Sequence, residues 1–318
     1  MSGDASWRDW DDAWRDALYG PAGFYRRPEG PAGHFRTAAH AGPGVLAAAL
    51  VRLARDARCA GILDVGAGRG ELLTALAHHD DGRAPLRLHG VDLVDRPPLL
   101  PPQAAWSRAD RGIPYAAFDR ALVVAWELLD TVPCPVLEVD DDGRARRVLV
   151  DAGTGRERLG APPDDEERRW CARWWPLEGA APGTRAEVGL PRDAWWQGHV
   201  RLLSRVGAGL LLAVDYAHTV GTRPPLGTLS GYRSGRLVPP VPDGSCDVTA
   251  HVALDAVEAA GRAAGASPGV LLRQDDALRA LGTTADRAGA EELLDAGGLG
   301  GFTWLLQGVG RPTPDPRD

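Results

Sequence analysis

The chain has 318 residues, 44% of them hydrophobic and 25% charged, with a formal net charge of −7; that length permits one large α/β domain with insertions or two modest ones. The acidic balance gives no general attraction to nucleic acid or to an anionic membrane, no apolar run is long enough to span a bilayer, and residues 1–16 are too charged to be a secretory signal. Lys and Asn are absent and Arg supplies all 36 basic residues, which excludes Schiff-base lysine chemistry and N-glycosylation.

Trp7, Trp10, Trp14 and Leu18 recur at helical spacing, so residues 4–19 are expected to form an amphipathic helix capped by Asp4 or Ser6. A glycine-bearing stretch follows: Ala17-Leu18-Tyr19-Gly20-Pro21-Ala22-Gly23-Phe24-Tyr25, then Gly33-His34-Phe35-Arg36-Thr37. Such a loop ahead of a core strand can act as a lid that excludes water. Residues 43–59 read as a helix leading into the first core strand. Cys59, Cys134, Cys171 and Cys246 are widely separated, without C-x-x-C, and read as reduced cytosolic thiols. The histidines form no ligand pattern, so no metal is expected.

Gly61-Ile62-Leu63-Asp64-Val65 is an apolar run that breaks into Gly66-Ala67-Gly68-Arg69-Gly70 and then continues, from Glu71, with apolar residues at helical spacing. A strand, a glycine turn and a helix start together offer backbone N–H groups to a ligand. Glycine is needed there because a Cβ would block a nucleotide-like cofactor. A dinucleotide fingerprint puts its third glycine where this chain has Glu71. Gly66-x-Gly68-x-Gly70 instead resembles motif I of class I S-adenosylmethionine (SAM) methyltransferases. Asp92 closes the apolar run at 86–91, and a carboxylate there can accept both ribose hydroxyls of SAM or NAD. SAM is favoured over NAD.

Residues 97–102 are too rich in proline to be helical. A third strand is expected at 104–107, around Trp106, and a fourth at 121–125, ending in Trp126-Glu127-Leu128-Leu129-Asp130-Thr131-Val132-Pro133. Ligands of open α/β sheets sit at the carboxyl ends of the strands, which is where Glu127 and Asp130 are expected. Two carboxylates suit a cationic acceptor such as a guanidinium; a helix cap for Asp130 and a structural hydrogen bond for Glu127 stay open. Trp126 either stacks on a ligand or fills the core. A β-hairpin is expected over 134–160, around Asp140-Asp141-Asp142-Gly143. The run at 164–169 reads as a solvated helix face, and the insertion at 134–191 is the candidate for acceptor recognition. A helix over 194–205, a fifth strand at 209–216 and a helix from Asp247 or Thr249 through Gly261, containing His251, follow. A last strand at 301–307 leads to a frayed tail, 311–318.

These pieces together resemble the MidA-type SAM-dependent methyltransferases, the group that includes the mitochondrial complex I assembly methyltransferase, with this chain as a divergent bacterial member. Their N-termini read A-L-Y-x-P-x-x-G-Y-Y and then G-D-F-x-T-S-P-E. This chain keeps Ala17, Leu18, Tyr19, Pro21, Gly23, Tyr25, Gly33, Phe35 and Thr37, and replaces the Asp by His34, the Ser and Pro by Ala38 and Ala39, and the Glu by His40. Of N-E-F-F-D-A-L-P it keeps Glu127, Asp130 and Pro133, with Trp126 for the Asn. Asp215-Tyr216, Gly227-Thr228-Leu229 with Tyr232, and Asp247-Val248-Thr249-Ala250-His251-Val252 match D-Y-G, G-T-L-x-x-Y and D-[IV]-T-A-H-V.

The resemblance implies an α/β, Rossmann-like class I methyltransferase fold: a mostly parallel central sheet with helices on both faces, an N-terminal helical lid over 1–60, and a methyltransferase domain over 61–310 that carries the β-hairpin insertion. It implies SAM as cofactor and S-adenosylhomocysteine as product, contacted by Gly33, Phe35, Thr37, Asp64, Gly66, Ala67, Gly68, Gly70, Asp92, Leu93, Trp106 and Trp126. It further implies methylation of a protein arginine, held by Glu127 and Asp130. A small-molecule methyltransferase and a SAM-binding assembly factor without catalysis stay open beside it. The expected partner is a methyl acceptor, a protein by resemblance, in the cytoplasm; nucleic acid and membrane are not expected, and an oligomer stays open.

Overall fold

Seven strands pair into one sheet: β1 (Gly61–Val65), β2 (Arg87–Asp92), β3 (Ala104–Arg108), β4 (Arg120–Trp126), β5 (Ala208–Asp215), β6 (Val270–Arg273) and β7 (Thr303–Val309). These come from a computed structural model that describes residues 7–27, 37–79 and 81–318. Contacts divide the chain into two compact units. One comprises Arg36–Leu129, Trp196–Tyr216 and Glu258–Asp318, and holds this sheet; the other comprises Met1–Phe35, Asp130–Trp195 and Ala217–Val257.

The strand order across the sheet is β6-β7-β5-β4-β1-β2-β3. The pairs β1–β2, β2–β3, β1–β4 and β4–β5 are parallel, while β7 runs antiparallel to both of its neighbours. Every residue of β1 is buried, as is every residue of β4 after Arg120. That is what a parallel sheet covered on both faces asks of its strands, and it explains their continuous apolar runs. The helix Pro43–Asp56 opens with Pro at its first turn, where the missing N–H costs nothing. Its Leu46, Leu50 and Leu53 belong to one core with Ile62, Leu122, Val124, Leu212 and Trp304. The strand order reverses between β1 and β4, so the carboxyl ends of these two strands flank the switch point.

In the other unit, Val136–Val139 and Ala145–Asp151 pair antiparallel, and Trp7–Asp9, Glu157–Leu159 and Arg185–Glu187 extend them. The expected helix at 4–19 is therefore shorter. Trp7–Asp9 is spent on pairing with Asp151, Val150 and Leu149, and the helix is Trp10–Tyr19; Asp4 and Ser6 lie outside the described residues. Trp10, Trp14 and Leu18 are buried, and Trp14 Nε1 donates to Val248 O at 2.8 Å. The acidic run at 164–169 is not simply solvated. Asp164 and Glu167 form a capping box for the helix Asp165–Trp174, and Glu167 is buried against Arg147.

Asp247–Thr249 is a strand, paired with Ser230–Arg233, so it caps no helix. His251 precedes the helix, which is Leu254–Ala263. Beyond Gly310 the chain is held: Thr313 Oγ1 donates to Pro268 O at 2.6 Å, and Arg311 donates to Ala57 O. Among the described residues no helix is long and apolar enough to cross a membrane.

Candidate functional site

The glycine turn is pinned by its own backbone. Gly66 and Ala67 N–H donate to Val91 O at 2.9 and 3.2 Å, which ties the end of β1 to the end of β2. Gly66, Gly68 and Gly70 have φ of +77°, +57° and +81°, the left-handed region that side chains disfavour. Their surroundings differ. A Cβ on Gly66 would lie 2.7 Å from Leu128 Cδ1, and one on Gly70 2.5 Å from Leu100 Cδ1. On Gly68 it would meet only Glu71 Oε2, at 3.2 Å. Gly66 and Gly70 thus serve packing, and Gly68 leaves the backbone approachable.

Asp92 stands beside that opening. Its Oδ2 accepts the Gly68 N–H at 2.9 Å and its Oδ1 the Leu93 N–H at 2.6 Å, so the carboxylate is aimed by backbone rather than by chance rotamer. Burial raises its pKa, and the hydrogen bonds from Gly68, Leu93 and Val94 oppose the rise. Oδ1 accepts the Val94 N–H as well, at 3.4 Å, so it is Oδ2 that keeps a lone pair for another donor. An open glycine backbone next to an oriented carboxylate fits the ribose of an adenosyl cofactor. Asp64, inside β1, is 2% exposed, and burial pushes its carboxyl up to about 8, with Asp92 and Glu71 adding to the rise. Trp106 packs over Gly90, where a Cβ would lie 2.6 Å from its ring, and its Nε1 donates to Val94 O at 3.1 Å.

At the end of β4, Glu127 has φ +50°, a strained value for a side-chain-bearing residue. Two bonds from backbone N–H groups hold the conformation: Glu127 N–H donates to the Val214 carbonyl at 2.8 Å, and Leu129 N–H to the Asp215 side-chain Oδ2 at 2.9 Å. Glu127 Oε1 accepts the Ala38 N–H at 2.8 Å, at the start of the helix Ala38–Ala41. Trp126 is buried in the core, edge-on to Trp304 with ring centroids 5.5 Å apart. Its ring packs in the core, and its buried Nε1 has no hydrogen-bond partner among the described residues.

The turn therefore gathers Asp64, Gly66, Ala67, Gly68, Gly70, Asp92 and Leu93, with Trp106 on the adjoining strand. Thr37 lies next to the Ala38 that Glu127 holds. Gly33 and Phe35, with His34, lie outside the described residues. Two neighbours of the turn went unassigned in the sequence. Glu71 opens the helix Glu71–His78 and accepts the Arg69 N–H at 3.0 Å; His40 lies 3.7 Å from Glu71 and 2.8 Å from the Thr37 hydroxyl. The signal was present only as two departures from a pattern, Glu71 for a third glycine and His40 for a family Glu.

Asp130 belongs to the other unit, where it is buried. Its backbone carbonyl accepts Arg192 Nη2 and the Ala250 N–H, each at 3.0 Å. Three residues of the resemblance motifs gather in that unit without having been named as site residues. Tyr25 OH donates to both oxygens of Asp247 at 3.0 Å, and Tyr19 OH to Thr131 O at 2.9 Å, with the two rings stacked 5.7 Å apart. Burial, with Asp247 adjacent, pushes the Tyr25 phenol well above its usual range. No group of three metal-ligating side chains occurs among the described residues.

Residues 97–270, more than half of the chain, match the family described as "Putative S-adenosyl-L-methionine-dependent methyltransferase". Two crystal structures from Burkholderia thailandensis are similar to the chain throughout. One is a candidate methyl transferase bound to S-adenosylhomocysteine: 21% identity, TM-score 0.71, 98% of this chain and 92% of that one. The other is the native structure of an uncharacterised protein of the same superfamily: 21% identity, TM-score 0.73, with the same coverage. At that identity the likeness is one of fold. No curated protein matches the chain.

Proposed function

The chain belongs to this family of S-adenosyl-L-methionine-dependent methyltransferases, and on that premise we propose that it methylates a protein side chain, an arginine by its resemblance to the MidA-type enzymes. The observation that carries the cofactor end of this reading is the Asp92 carboxylate, fixed by the Gly68 and Leu93 N–H groups beside an open glycine backbone. Asp92 would hold the ribose, and Gly68 would admit the cofactor to the backbone. When bound, SAM supplies a methyl group on a sulfonium that is already primed to leave. What remains for the chain is to orient the acceptor and keep water away.

The same resemblance assigns the acceptor to Glu127 and Asp130. Carboxylates suit a guanidinium by charge and by paired hydrogen bonds. The reading without catalysis has one observation in its favour: Glu127 Oε1 already accepts the Ala38 N–H, which is a structural task. Incubating the protein and methyl-labelled SAM with lysate separates the alternatives. Label recovered as methylarginine in protein hydrolysate supports the proposal. Label in small molecules moves the acceptor to that class, and SAM binding without any transfer moves the protein to the assembly-factor reading.

A further inference from the structure

Beside the glycine turn, on the helices Ala38–Ala41 and Glu71–His78, stand two side chains with no assigned task. His40 presents Nδ1 to the Thr37 hydroxyl at 2.8 Å and Nε2 to Glu71 Oε1 at 3.7 Å. The other oxygen of Glu71 accepts the Arg69 N–H at 3.0 Å and is the atom nearest to where a Gly68 Cβ would lie. Glu71 thus faces the cofactor approach with one oxygen and an imidazole with the other.

We propose that the His40–Glu71 pair distinguishes SAM from S-adenosylhomocysteine by charge. The Glu71 carboxylate favours the sulfonium, and a positive charge on the imidazole that faces it would offset that preference, so that the product is held nearly as well. This inference rests on the cofactor reading above and deepens it. Cofactor and product share the adenosine, the amino group and the carboxylate, and differ by one methyl group and one positive charge. A nearby carboxylate acts on that charge, and an imidazole is the side chain whose ordinary ionisation falls between pH 5 and 8.

The charged groups around His40 leave it this role. The glycine turn and the strand ends next to it carry Asp92, Arg69 and Glu127, a balance that favours a cation, and Asp64 adds to it only as it ionises. Of the helices packed against Ala38–Ala41, Glu71–His78 contributes Glu71, Ala290–Leu294 contributes Glu291 and Glu292, both exposed, and Pro43–Asp56 has no charge before Arg52. Asp64, pushed up to about 8, ionises above the imidazole range and acts alike in wild type and in a His40 variant. Transfer itself turns a cation into a neutral thioether and frees one proton.

The test is calorimetric titration of wild type, H40Q and E71Q with SAM and with S-adenosylhomocysteine at about pH 5.5 and about pH 7.5. In wild type the SAM-to-product affinity ratio should rise about three- to fivefold across that interval, the scale of a partly exposed ion pair. H40Q should shrink that rise to the part that Asp64 contributes. E71Q, whose amide oxygen can still accept the Arg69 N–H, should lower the ratio at the higher pH. Equal slopes in wild type and H40Q, or an unchanged ratio in E71Q, would overturn the proposal. Loss of SAM binding at both pH values in wild type would overturn the cofactor reading and this inference with it.

Discussion

Asp64→Asn separates the charge of the glycine turn from its shape. The side chain is 2% exposed, and burial pushes its carboxyl from 3.8 up to about 8, with Asp92 and Glu71 adding to the shift. Between those two values the folded chain holds a proton that the unfolded chain has lost. The stability this contributes is complete below about pH 4, falls as pH rises, and is gone above about pH 8. From about pH 5 to about pH 8 the loss is three units at about 1.36 kcal/mol each, on the order of 4 kcal/mol. Asn keeps the volume and cannot ionise, so the variant should lack this slope while keeping every other group's. Guanidinium denaturation of both proteins at the two pH values reads the difference directly; the variant should lose less stability and be the more stable at the higher pH. Binding of a cationic cofactor should also draw the proton off Asp64, so wild type should release a proton near neutral pH and the variant should not, as shown by buffer-dependent heats. Parallel stability profiles for the two proteins would refute the reasoning.

Three further outcomes follow from the same geometry. Gly66→Ala should cost about 1–3 kcal/mol of stability, since it combines a left-handed φ with a contact against Leu128, whereas Gly68→Ala should cost about 1 kcal/mol and lose SAM binding instead; thermal melts with calorimetry test the pair, and equal effects on melting would refute the division. Asp92→Ala should weaken SAM and S-adenosylhomocysteine binding about tenfold or more with little loss of fold, by removing charge-assisted bonds to the ribose; unchanged affinity would remove Asp92 from that role. Asp130→Ala should lower methyl transfer more than SAM affinity, and equal losses would leave it a scaffold residue.

The sheet was legible because its strands are buried on both faces and so read as unbroken apolar runs at β1, β4 and β5. The glycine turn was legible because its chemistry is local: three residues at alternate positions, with a strand before and a helix after. What misled was long-range. Trp7 fits the helical spacing of Trp10 and Trp14, yet its backbone pairs with Asp151, far along the chain. Asp247 and Thr249 look like caps for the helix that follows, yet strand pairing with Ser230–Arg233 claims them. Glu167 reads as one charge in a solvated run, and only the fold brings Arg147 to it. Periodicity describes one segment at a time, and in each case a partner elsewhere decided the outcome.

Departures from the MidA-type pattern that the chain resembles behave alike in one respect. His40, in place of a Glu, pairs with Thr37 and lies against Glu71; Trp126, in place of an Asn, packs on Trp304. Neither substitution touches the groups that aim Asp92 or open Gly68, since those are backbone N–H groups and an absent side chain. The geometry of the cofactor cradle is therefore insulated from side-chain replacement around it. What the replacements do change is charge next to Glu71 and a hydrogen-bonding group at the end of β4: an amide that could donate and accept becomes an indole N–H buried without a partner. The second of these changes, beside an intact cradle, would alter which acceptor is held before it altered whether SAM is bound. Acceptor profiling of Trp126→Asn against wild type, with SAM affinity measured in parallel, separates those two effects: the acceptor range should shift while SAM affinity stays put, and the reverse would refute the insulation of the cradle.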